Sequence, residues 1–237
     1  MDFTLSDEQK MLIQTLRSMA ERENFKELAK TIDAAAEFPY QLMPVFAGMG
    51  LLGMTLTETY GGGGQPGINA VLAIEELAKY SPMIAAPVFE SNVGPVRVID
   101  LFGSEEQKRA IIPKVCRGEQ SVSVCMTEPE AGSDLTALTT HAVEDGDAYI
   151  LNGRKVFITG GGHASHYMVY TRFGQAKGYK AIGGLLVENG MPGFSFGKQE
   201  EVMGLRGMPS CDLIFEDVRV PKANLVVKPG DFSKLMS

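Results

Sequence analysis

Long apolar runs and cysteine are both scarce in this sequence of 237 residues. No apolar run approaches the roughly 18 residues that a membrane-spanning helix requires. The N-terminal region also lacks the apolar core of a secretory signal, because basic residues interrupt it: Lys10, Arg17 and Arg22. The cysteines are few, odd in number and widely separated, which argues against a disulfide framework: Cys116, Cys125 and Cys211. We therefore expect a cytoplasmic protein with reduced thiols and no membrane span.

Clustered positive charge and histidine are sparse as well. The formal net charge is -7, and no stripe of lysine and arginine is available to neutralise phosphates, so a nucleic-acid partner is disfavoured. His163 and His166 lie three residues apart and invite a metal hypothesis. Catalytic zinc takes about three protein ligands, and no carboxylate or thiolate nearby offers the third. We expect no metal site.

A glycine-rich segment at residues 61–67 fits the pattern Gly-x-Gly-x-x-Gly through Gly62, Gly64 and Gly67. A dinucleotide-binding loop of that pattern needs a preceding parallel strand and a βαβ unit. Here helical pattern flanks the segment on both sides, and Pro66 removes a backbone N–H from any phosphate cradle. The segment is interpreted as a mobile loop between helices.

The first half of the chain has helical periodicity. Ser6 followed by Gln9 forms a capping box, and an apolar stripe follows at helix spacing: Leu12, Ile13, Leu16, Met19 and Ala20. Further helices are predicted over similar patterns, the last of them capped by Ser104 and ended by Gly118: Phe25–Ala36, Tyr40–Met49, Ile68–Lys79, Ser91–Phe102 and Glu105–Cys116. We predict an N-terminal all-α domain over residues 1–119.

After Gly118 the period falls to about two, which is typical of strands. Asp145-Gly146 and Asn152-Gly153 both favour two-residue hairpin turns, because these dipeptides tolerate positive φ. Short strands are predicted throughout this half: Ser121–Met126, Tyr149–Leu151, Lys155–Ile158, Tyr167–Arg172, Ile182–Val187, Phe194–Gly197, Asp212–Phe215 and Val218–Val220. The fold class is therefore α+β and multidomain, with an antiparallel β-barrel or sandwich over residues 120–230.

Residues 125–137 form the most informative loop, Cys-Met-Thr-Glu-Pro-Glu-Ala-Gly-Ser-Asp-Leu-Thr-Ala. Gly132 permits a close or left-handed backbone, and hydroxyls with exposed backbone N–H groups can hold a phosphate or the edge of a heterocycle. The simpler interpretation is a turn in which Asp134 caps its own backbone. Glu128 and Glu130 offer a carboxylate pair, but an exposed polar turn supplies no burial to raise their pKa, so both are assigned structural roles.

This loop resembles the flavin-loop signature of the acyl-CoA dehydrogenase family, Thr-Glu-Pro-x-Ala-Gly-Ser-Asp. Three more segments agree with that family in order and spacing: Phe102–Lys108 with Pro113, Leu151–Gly160, and Phe215–Pro221. The resemblance covers essentially the whole chain. Glu130 departs from it, because many relatives have glycine there.

The resemblance implies FAD as cofactor and assigns residues to it. The loop would line the flavin through Val124, Cys125, Met126, Thr127, Gly132 and Ser133. In the second segment Phe157 would lie against the isoalloxazine, Ile158 would give backbone contacts and Thr159 would reach the N5 region. Ser133 would also approach the CoA thioester arm, and the helix near Glu90 and Ser91 would contribute to the acyl pocket.

The implied activity is α,β-dehydrogenation of an acyl-CoA thioester, with electrons passed to an electron-transfer flavoprotein and a dimeric or tetrameric assembly. The family's catalytic base is expected beyond residue 237, in a C-terminal helical domain whose first helix would open at Asp231–Met236; no catalytic residue is assigned within the chain. An enoyl-CoA reductase or a lyase on the same fold is an alternative, and a non-catalytic binding module is another.

Overall fold

The computed structural model describes residues 4–174 and 178–235, and its contacts divide the chain into two compact units. The helical unit comprises the described part of Met1–Val93 with Ile112–Glu119 and Glu201–Met208. The sheet unit comprises Gly94–Ile111, the described part of Gln120–Glu200, and the described residues from Pro209 onward. No helix of the described residues is both long and apolar enough to cross a membrane.

The helices follow the predicted pattern closely at their starts. Ser6 and Gln9 exchange both bonds of a capping box, with Gln9 N donating to Ser6 Oγ at 3.2 Å. Ser104 and Gln107 form a second one. The helices are α1 (Asp7–Arg22), α2 (Phe25–Ala35), α3 (Met43–Gly48), α4 (Gly67–Ala78), α5 (Pro82–Asn92), α6 (Pro95–Phe102), α7 (Glu105–Cys116) and α8 (Phe232–Leu235). Met236, in the helix opening predicted at Asp231–Met236, lies outside the described residues.

The predicted helix over Ser91–Phe102 is wrong in its bounds. Ser91 belongs to α5, which begins at Pro82 and contains Pro87, and a separate α6 begins at Pro95. Gly94, just before Pro95, is extended with a ψ of -159°. A proline ring disfavours the helical region for the residue before it, and the chain leaves the helix at Gly94; Pro87, in contrast, is accommodated inside α5.

In the helical unit, an apolar cluster buries side chains from several helices completely. Its members include Leu16, Phe25, Phe46, Leu77, Ile84 and Val88. The Phe25 and Tyr80 rings meet edge to face with their centroids 5.9 Å apart. This packing places the C-terminal half of α5, including Glu90, on a rigid support.

The sheet unit is built on eight strands: β1 (Val122–Cys125), β2 (His141–Asp145), β3 (Ala148–Thr159), β4 (His166–Phe173), β5 (Ile182–Glu188), β6 (Phe194–Gln199), β7 (Ser210–Pro221) and β8 (Leu225–Val227). Their order is β6-β7-β3-β2-β4-β5-β8, and β1 pairs with β4. Neighbours are antiparallel except β1–β4 and β2–β4, which are parallel. The prediction of helices followed by a mostly antiparallel sheet is confirmed; the sheet ends at β6 and β8 and does not close.

The hairpin predicted at Asn152-Gly153 is wrong, whereas the turn after Asp145 does join β2 to β3. Asn152 and Gly153 lie inside the 12-residue β3, at a register shift against β7. The Asn152 amide donates to Asp217 Oδ1 at 3.0 Å and accepts from Asp217 N at 2.9 Å. Gly153 has a positive φ of 144°, so its conformational freedom serves a bulge in β3 rather than a hairpin turn. The two strands predicted around Asp217 are likewise one continuous strand, β7.

Candidate functional site

The loop after β1 folds back on itself as a tight backbone turn. Glu128 N donates to Ala131 O at 2.9 Å, and Ala131 N donates to Glu128 O at 3.2 Å. Glu130 stands exposed at the tip with a φ outside the positive region, so its side chain needs no reshaped backbone. The turn thereby leaves Thr127 on one side and Gly132 on the other.

Beyond the turn, the loop exposes Gly132 and Ser133 to solvent. Asp134 accepts from Thr136 N at 3.1 Å and from Thr136 Oγ1 at 2.6 Å, so it caps its own backbone as the simpler interpretation predicts. Gly132 does not adopt the left-handed conformation that glycine allows, and a Cβ there would meet nothing within 4 Å. Gly132 is therefore bordered by open space.

Beneath the loop, Glu128 and Lys155 form a buried ion pair. Their side chains are 2% and 0% exposed, and Lys155 Nζ lies 2.8 Å from Glu128 Oε1. Lys155 Nζ also donates to Met126 O at 2.9 Å. The carboxylate accepts further bonds from the backbone N–H groups of Thr139 and Thr140, at 2.6 and 3.0 Å. The expected exposed position of Glu128 is therefore wrong.

The charge state of Glu128 follows from these contacts. Burial opposes its ionisation, but the Lys155 charge and the hydrogen bonds from Lys155, Thr139 and Thr140 outweigh burial and lower the pKa of Glu128 to about 2. Burial also lowers the pKa of Lys155. A carboxylate that is ionised and fully bonded in this way is a poor acceptor for a substrate proton.

The bulge in β3 brings Phe157 beside the same loop. Val156 N donates to Thr127 O at 3.0 Å, and regular pairing with β7 is interrupted between Lys155 and Ile158. Phe157, within this interruption, has a φ of 56° and is 67% exposed. A left-handed aromatic residue is costly, and such residues cluster at ligand sites. Its ring offers an exposed apolar wall.

The remaining residues of the second predicted segment pair with β7. Ile158 is buried opposite Cys211, and Thr159 lies opposite Ser210. Thr159 O accepts a hydrogen bond from Ser123 Oγ of β1. The two predicted flavin segments are thus in contact within the sheet unit. Met126 and Thr127 accept hydrogen bonds from residues 155 and 156, and Ser123 of β1 donates one to Thr159.

Cys125, at the end of β1, is fully buried, and burial raises the pKa of its thiol. Val124, which precedes it, is 40% exposed. Its neighbours in the loop, Met126 and Thr127, are half-buried. The predicted flavin loop therefore presents Val124, Met126 and Thr127 toward solvent, whereas Cys125 contributes to the core.

Glu90 and Ser91 lie in the helical unit, at the end of α5. The buried hydroxyl of Ser91 donates to Pro87 O at 2.8 Å. Glu90 is half-buried, and this burial raises the pKa of its carboxyl group to about 7. Burial and the nearby Glu90 charge raise the pKa of Tyr40. Of these residues, Glu90 has the properties of a proton-exchanging group at neutral pH.

Sequence reasoning missed the role of Lys155. Lys155 stands directly before the apolar run at residues 156–158, and lysine is almost never fully buried unless it is paired. The sequence therefore hints that Lys155 has a partner. It does not reveal which, because Glu128 stands 27 positions earlier in the chain, too far for a local pattern.

Two other sequence features lie outside this loop, the glycine-rich segment and the histidine pair. The backbone N–H groups of the glycine-rich segment are used internally, since Gly63, Gly64 and Gln65 donate to residues 53–56 at 2.8 to 3.0 Å. Among residues 4–174 and 178–235, no group of three histidine, cysteine or carboxylate side chains is placed to hold a metal ion. His166 lies in β4, opposite Val122 and Glu188.

Comparison with known proteins matches two domains of one family, which together cover nearly the whole chain. Residues 6–119 match the acyl-CoA dehydrogenase N-terminal domain, and residues 123–218 match the acyl-CoA dehydrogenase middle domain. The chain is 41% identical over 226 residues to the mitochondrial isobutyryl-CoA dehydrogenase of Dictyostelium discoideum, covering 95% of this chain and 54% of that protein. It is 38% identical to the acryloyl-CoA reductase (NADH) of Anaerotignum propionicum, covering 99% and 60%.

Among solved structures, the butyryl-CoA dehydrogenase of Megasphaera elsdenii superposes with a TM-score of 0.90 at 32% identity. That similarity covers 99% of this chain and 62% of the solved one. The chain thus spans a little over half of the length of the relatives it matches.

Proposed function

The chain belongs to the acyl-CoA dehydrogenase family, and from that premise we propose that it binds FAD and an acyl-CoA thioester for oxidation between Cα and Cβ. One observation carries the proposal. The flavin-signature loop and the β3 bulge, 20 to 30 positions apart, are hydrogen-bonded to each other beside an exposed left-handed Phe157.

The residues at this place fit an isoalloxazine ring and its substituents. Phe157 offers a flat apolar face, and the hydroxyls of Thr127 and Thr159 suit the polar edge of the ring. The open space beside Gly132 suits close approach of the ribityl and phosphate groups. When bound, FAD supplies the hydride acceptor for the substrate Cβ.

Substrate activation requires loss of a proton from Cα, which is too weak an acid to ionise unaided. We assign Ser133 to the approach of the thioester arm and Glu90 to the acyl pocket. Glu128 is unsuited to be the base, because its carboxylate is buried, paired and ionised down to about pH 2. The base remains assigned to the C-terminal domain that the resemblance implies.

A reductase that runs the reaction in the opposite direction is a second candidate. The observation in its favour is that a protein 38% identical over the whole chain is named an acryloyl-CoA reductase. Anaerobic incubation distinguishes the two candidates. A dehydrogenase changes its flavin spectrum with a saturated acyl-CoA and passes electrons to a dye acceptor, whereas a reductase, reduced by a dye donor, changes its flavin spectrum with an unsaturated acyl-CoA.

For the complete protein we further propose an electron-transfer flavoprotein as acceptor and a dimeric or tetrameric assembly. A two-electron flavin must be reoxidised after each turnover, and a protein acceptor serves this without releasing the substrate-derived electrons to solvent. We also propose the cytoplasm as its compartment, since the structure places none of its three cysteines, Cys116, Cys125 and Cys211, in a disulfide.

The test is FAD titration of the purified chain, followed by flavin absorbance after gel filtration. We expect Thr159→Ala and Ser133→Ala to weaken flavin or substrate binding by about 1–3 kcal/mol, the cost of leaving a polar partner without its bond. Ser195→Ala, an exposed serine on β6, is the matched control and leaves both unchanged. If both this chain and a longer protein that contains it stay colourless after incubation with FAD, the proposal is contradicted.

A further inference from the structure

We propose that the buried Glu128–Lys155 pair is a positioning device, which forces Phe157 into its left-handed, outward-facing conformation and so builds the aromatic wall of the site. The inference rests on the proposed function only in taking flavin as the ring's partner. Neither residue of the pair touches the ligand. Both act through Phe157.

The pair and one backbone bond anchor β3 to the loop immediately before Phe157. Lys155 Nζ binds Glu128 Oε1 and Met126 O, and Val156 N binds Thr127 O. Pairing with β7 resumes only at Ile158, opposite Cys211. The Lys155 backbone is the last to pair with β7 before this break, opposite Leu213. Because the Lys155 side chain and Val156 N are held by the loop and residue 158 by β7, residue 157 has to absorb the change of direction.

Nothing in the packing of Phe157 itself explains its conformation. The side chain is 67% exposed, so burial of the ring does not offset the cost of a positive φ. Strained backbone of this kind persists only where the surroundings over-determine it. The three anchoring bonds at Lys155 and Val156 supply that constraint.

The pair also differs from other ion pairs of buried carboxylates. Glu76 pairs with Arg17 and Lys79, whose side chains remain 56% and 49% exposed. Asp100 pairs with Arg97, which is 40% exposed. Lys155 has given up all its hydration, and a fully buried pair is weak evidence for stability but a strong geometric constraint. A role in orientation accounts for that cost.

Two measurements test the proposal. The sign of φ at residue 157 is read in 15N-labelled chain from its amide-to-Hα coupling together with its intraresidue amide-to-Hα NOE, which is strong only at positive φ. FAD binding is read in a Phe157→Trp background, because the chain has no tryptophan and the single indole emission is quenched by a flavin stacked on it. The variants are Glu128→Gln, the double variant Glu128→Gln with Lys155→Met, and Glu76→Gln. Glu76→Gln is the matched control, since it breaks a buried carboxylate pair within the helical unit.

We expect Glu128→Gln to change the coupling at residue 157 to that of an extended strand. In the tryptophan background its FAD dissociation constant rises roughly tenfold or more, as for any misplaced contact group. Glu76→Gln lowers the melting temperature by a similar amount yet leaves the coupling and the dissociation constant unchanged. A Glu128→Gln chain that is less stable but keeps residue 157 left-handed overturns the proposal.

The double variant covers the case in which Glu128→Gln does not fold, because it removes the unpaired buried charge. A folded double variant with an extended residue 157 supports the device, and one with a left-handed residue 157 overturns it. Failure of the flavin assignment is separately visible. If the Phe157→Trp parent shows no quenching by FAD while the coupling still responds to Glu128→Gln, the positioning role stands and the ligand is another one.

Discussion

Phe157 shows at the scale of a single residue how a proposed ligand-contacting position differs from other aromatic residues of the same sheet. An aromatic side chain in a strand is ordinarily buried, and Phe215 on the adjacent strand is, at 2% exposure, stacked on Phe194 with centroids 5.0 Å apart. Phe157 has the same side chain and neither property. Because the Phe157 ring is exposed, it should contribute less than Phe215 to the free energy of unfolding.

Replacing Phe157 with Asn should leave the free energy of unfolding within about 1 kcal/mol of the original or raise it. Asn adopts the left-handed region more readily than Phe, and the exposed ring contributes little packing. Phe215→Asn, in contrast, should lose at least the 3–5 kcal/mol typical of truncating a buried Phe. Urea unfolding of both variants measures the difference. A loss above about 3 kcal/mol at Phe157 contradicts this account.

The pH dependence of stability should report on Glu128. Its folded pKa of about 2 lies below the unfolded value near 4.3, so its contribution is complete above that value and is lost as pH falls toward 2. The contribution at neutral pH is roughly 3 kcal/mol. Glu128→Gln should therefore destabilise the chain at pH 7 by about 3–5 kcal/mol. The difference in unfolding free energy between the original chain and the variant should then shrink as the pH falls from 5 to 2.

Glu130→Gln is the control for that measurement, because it changes an exposed carboxylate of the same loop. It should change stability by no more than about 0.5 kcal/mol. Unfolding at pH 7, 5 and 3 is sufficient. A profile of Glu128→Gln parallel to that of the unaltered chain would show that the carboxylate is not held ionised in the fold.

At the scale of elements, the sequence predicted those that depend on short-range chemistry. The capping boxes at Ser6 and Ser104 formed because both partners lie three residues apart on the chain. The hairpin predicted at Asn152-Gly153 is wrong because a glycine that tolerates positive φ suits a hairpin turn and a bulge equally well. Only pairing with β7, about 60 positions away, decides between them. Burial of Glu128 was missed for the same reason.

The glycine at the β3 bulge should be irreplaceable for stability. Gly153 has a φ of 144°, and a Cβ there would lie 2.5 Å from Thr140 Oγ1 and 2.7 Å from Thr140 Cα. Gly153→Ala should cost about 2–4 kcal/mol through strain and crowding. Gly132→Ala, which meets open space, should instead stabilise the chain by about 0.4–1 kcal/mol while weakening FAD binding. Equal effects of the two substitutions on thermal unfolding would contradict these roles.

At the scale of the molecule, the family and the order of the two domains were predictable because four motifs stand in register along the chain. The site was predictable only in part. The flavin signature proposes its residues, and that assignment stays a prediction. The ion pair and the backbone conformation beneath the loop depend on contacts that a linear pattern does not encode. The base could not be assigned to a residue at all.

The chain of 237 residues should not by itself exchange the Cα proton of an acyl-CoA. The resemblance assigns the general base to another domain, and Glu128 is held ionised by its buried ion pair; a reaction without a positioned general base loses a factor of about 10²–10⁴ in rate. Incubation with FAD and short acyl-CoAs in D₂O, followed by mass spectrometry of the thioester, tests this. Exchange above the enzyme-free rate contradicts it, and its loss in Glu90→Gln would then identify Glu90, whose pKa of about 7 suits the task.

The unclosed sheet has a consequence for the handling of this protein. A strand without a neighbour on one side is a template that other chains can join, which is how ordered aggregates begin. At one end β8 has only three residues, and at the other β6 carries an exposed lysine, Lys198, beside a register shift against β7. Short length, charge and irregularity each discourage intermolecular strand addition, so colloidal stability at high concentration depends on a few side chains far from any chemistry.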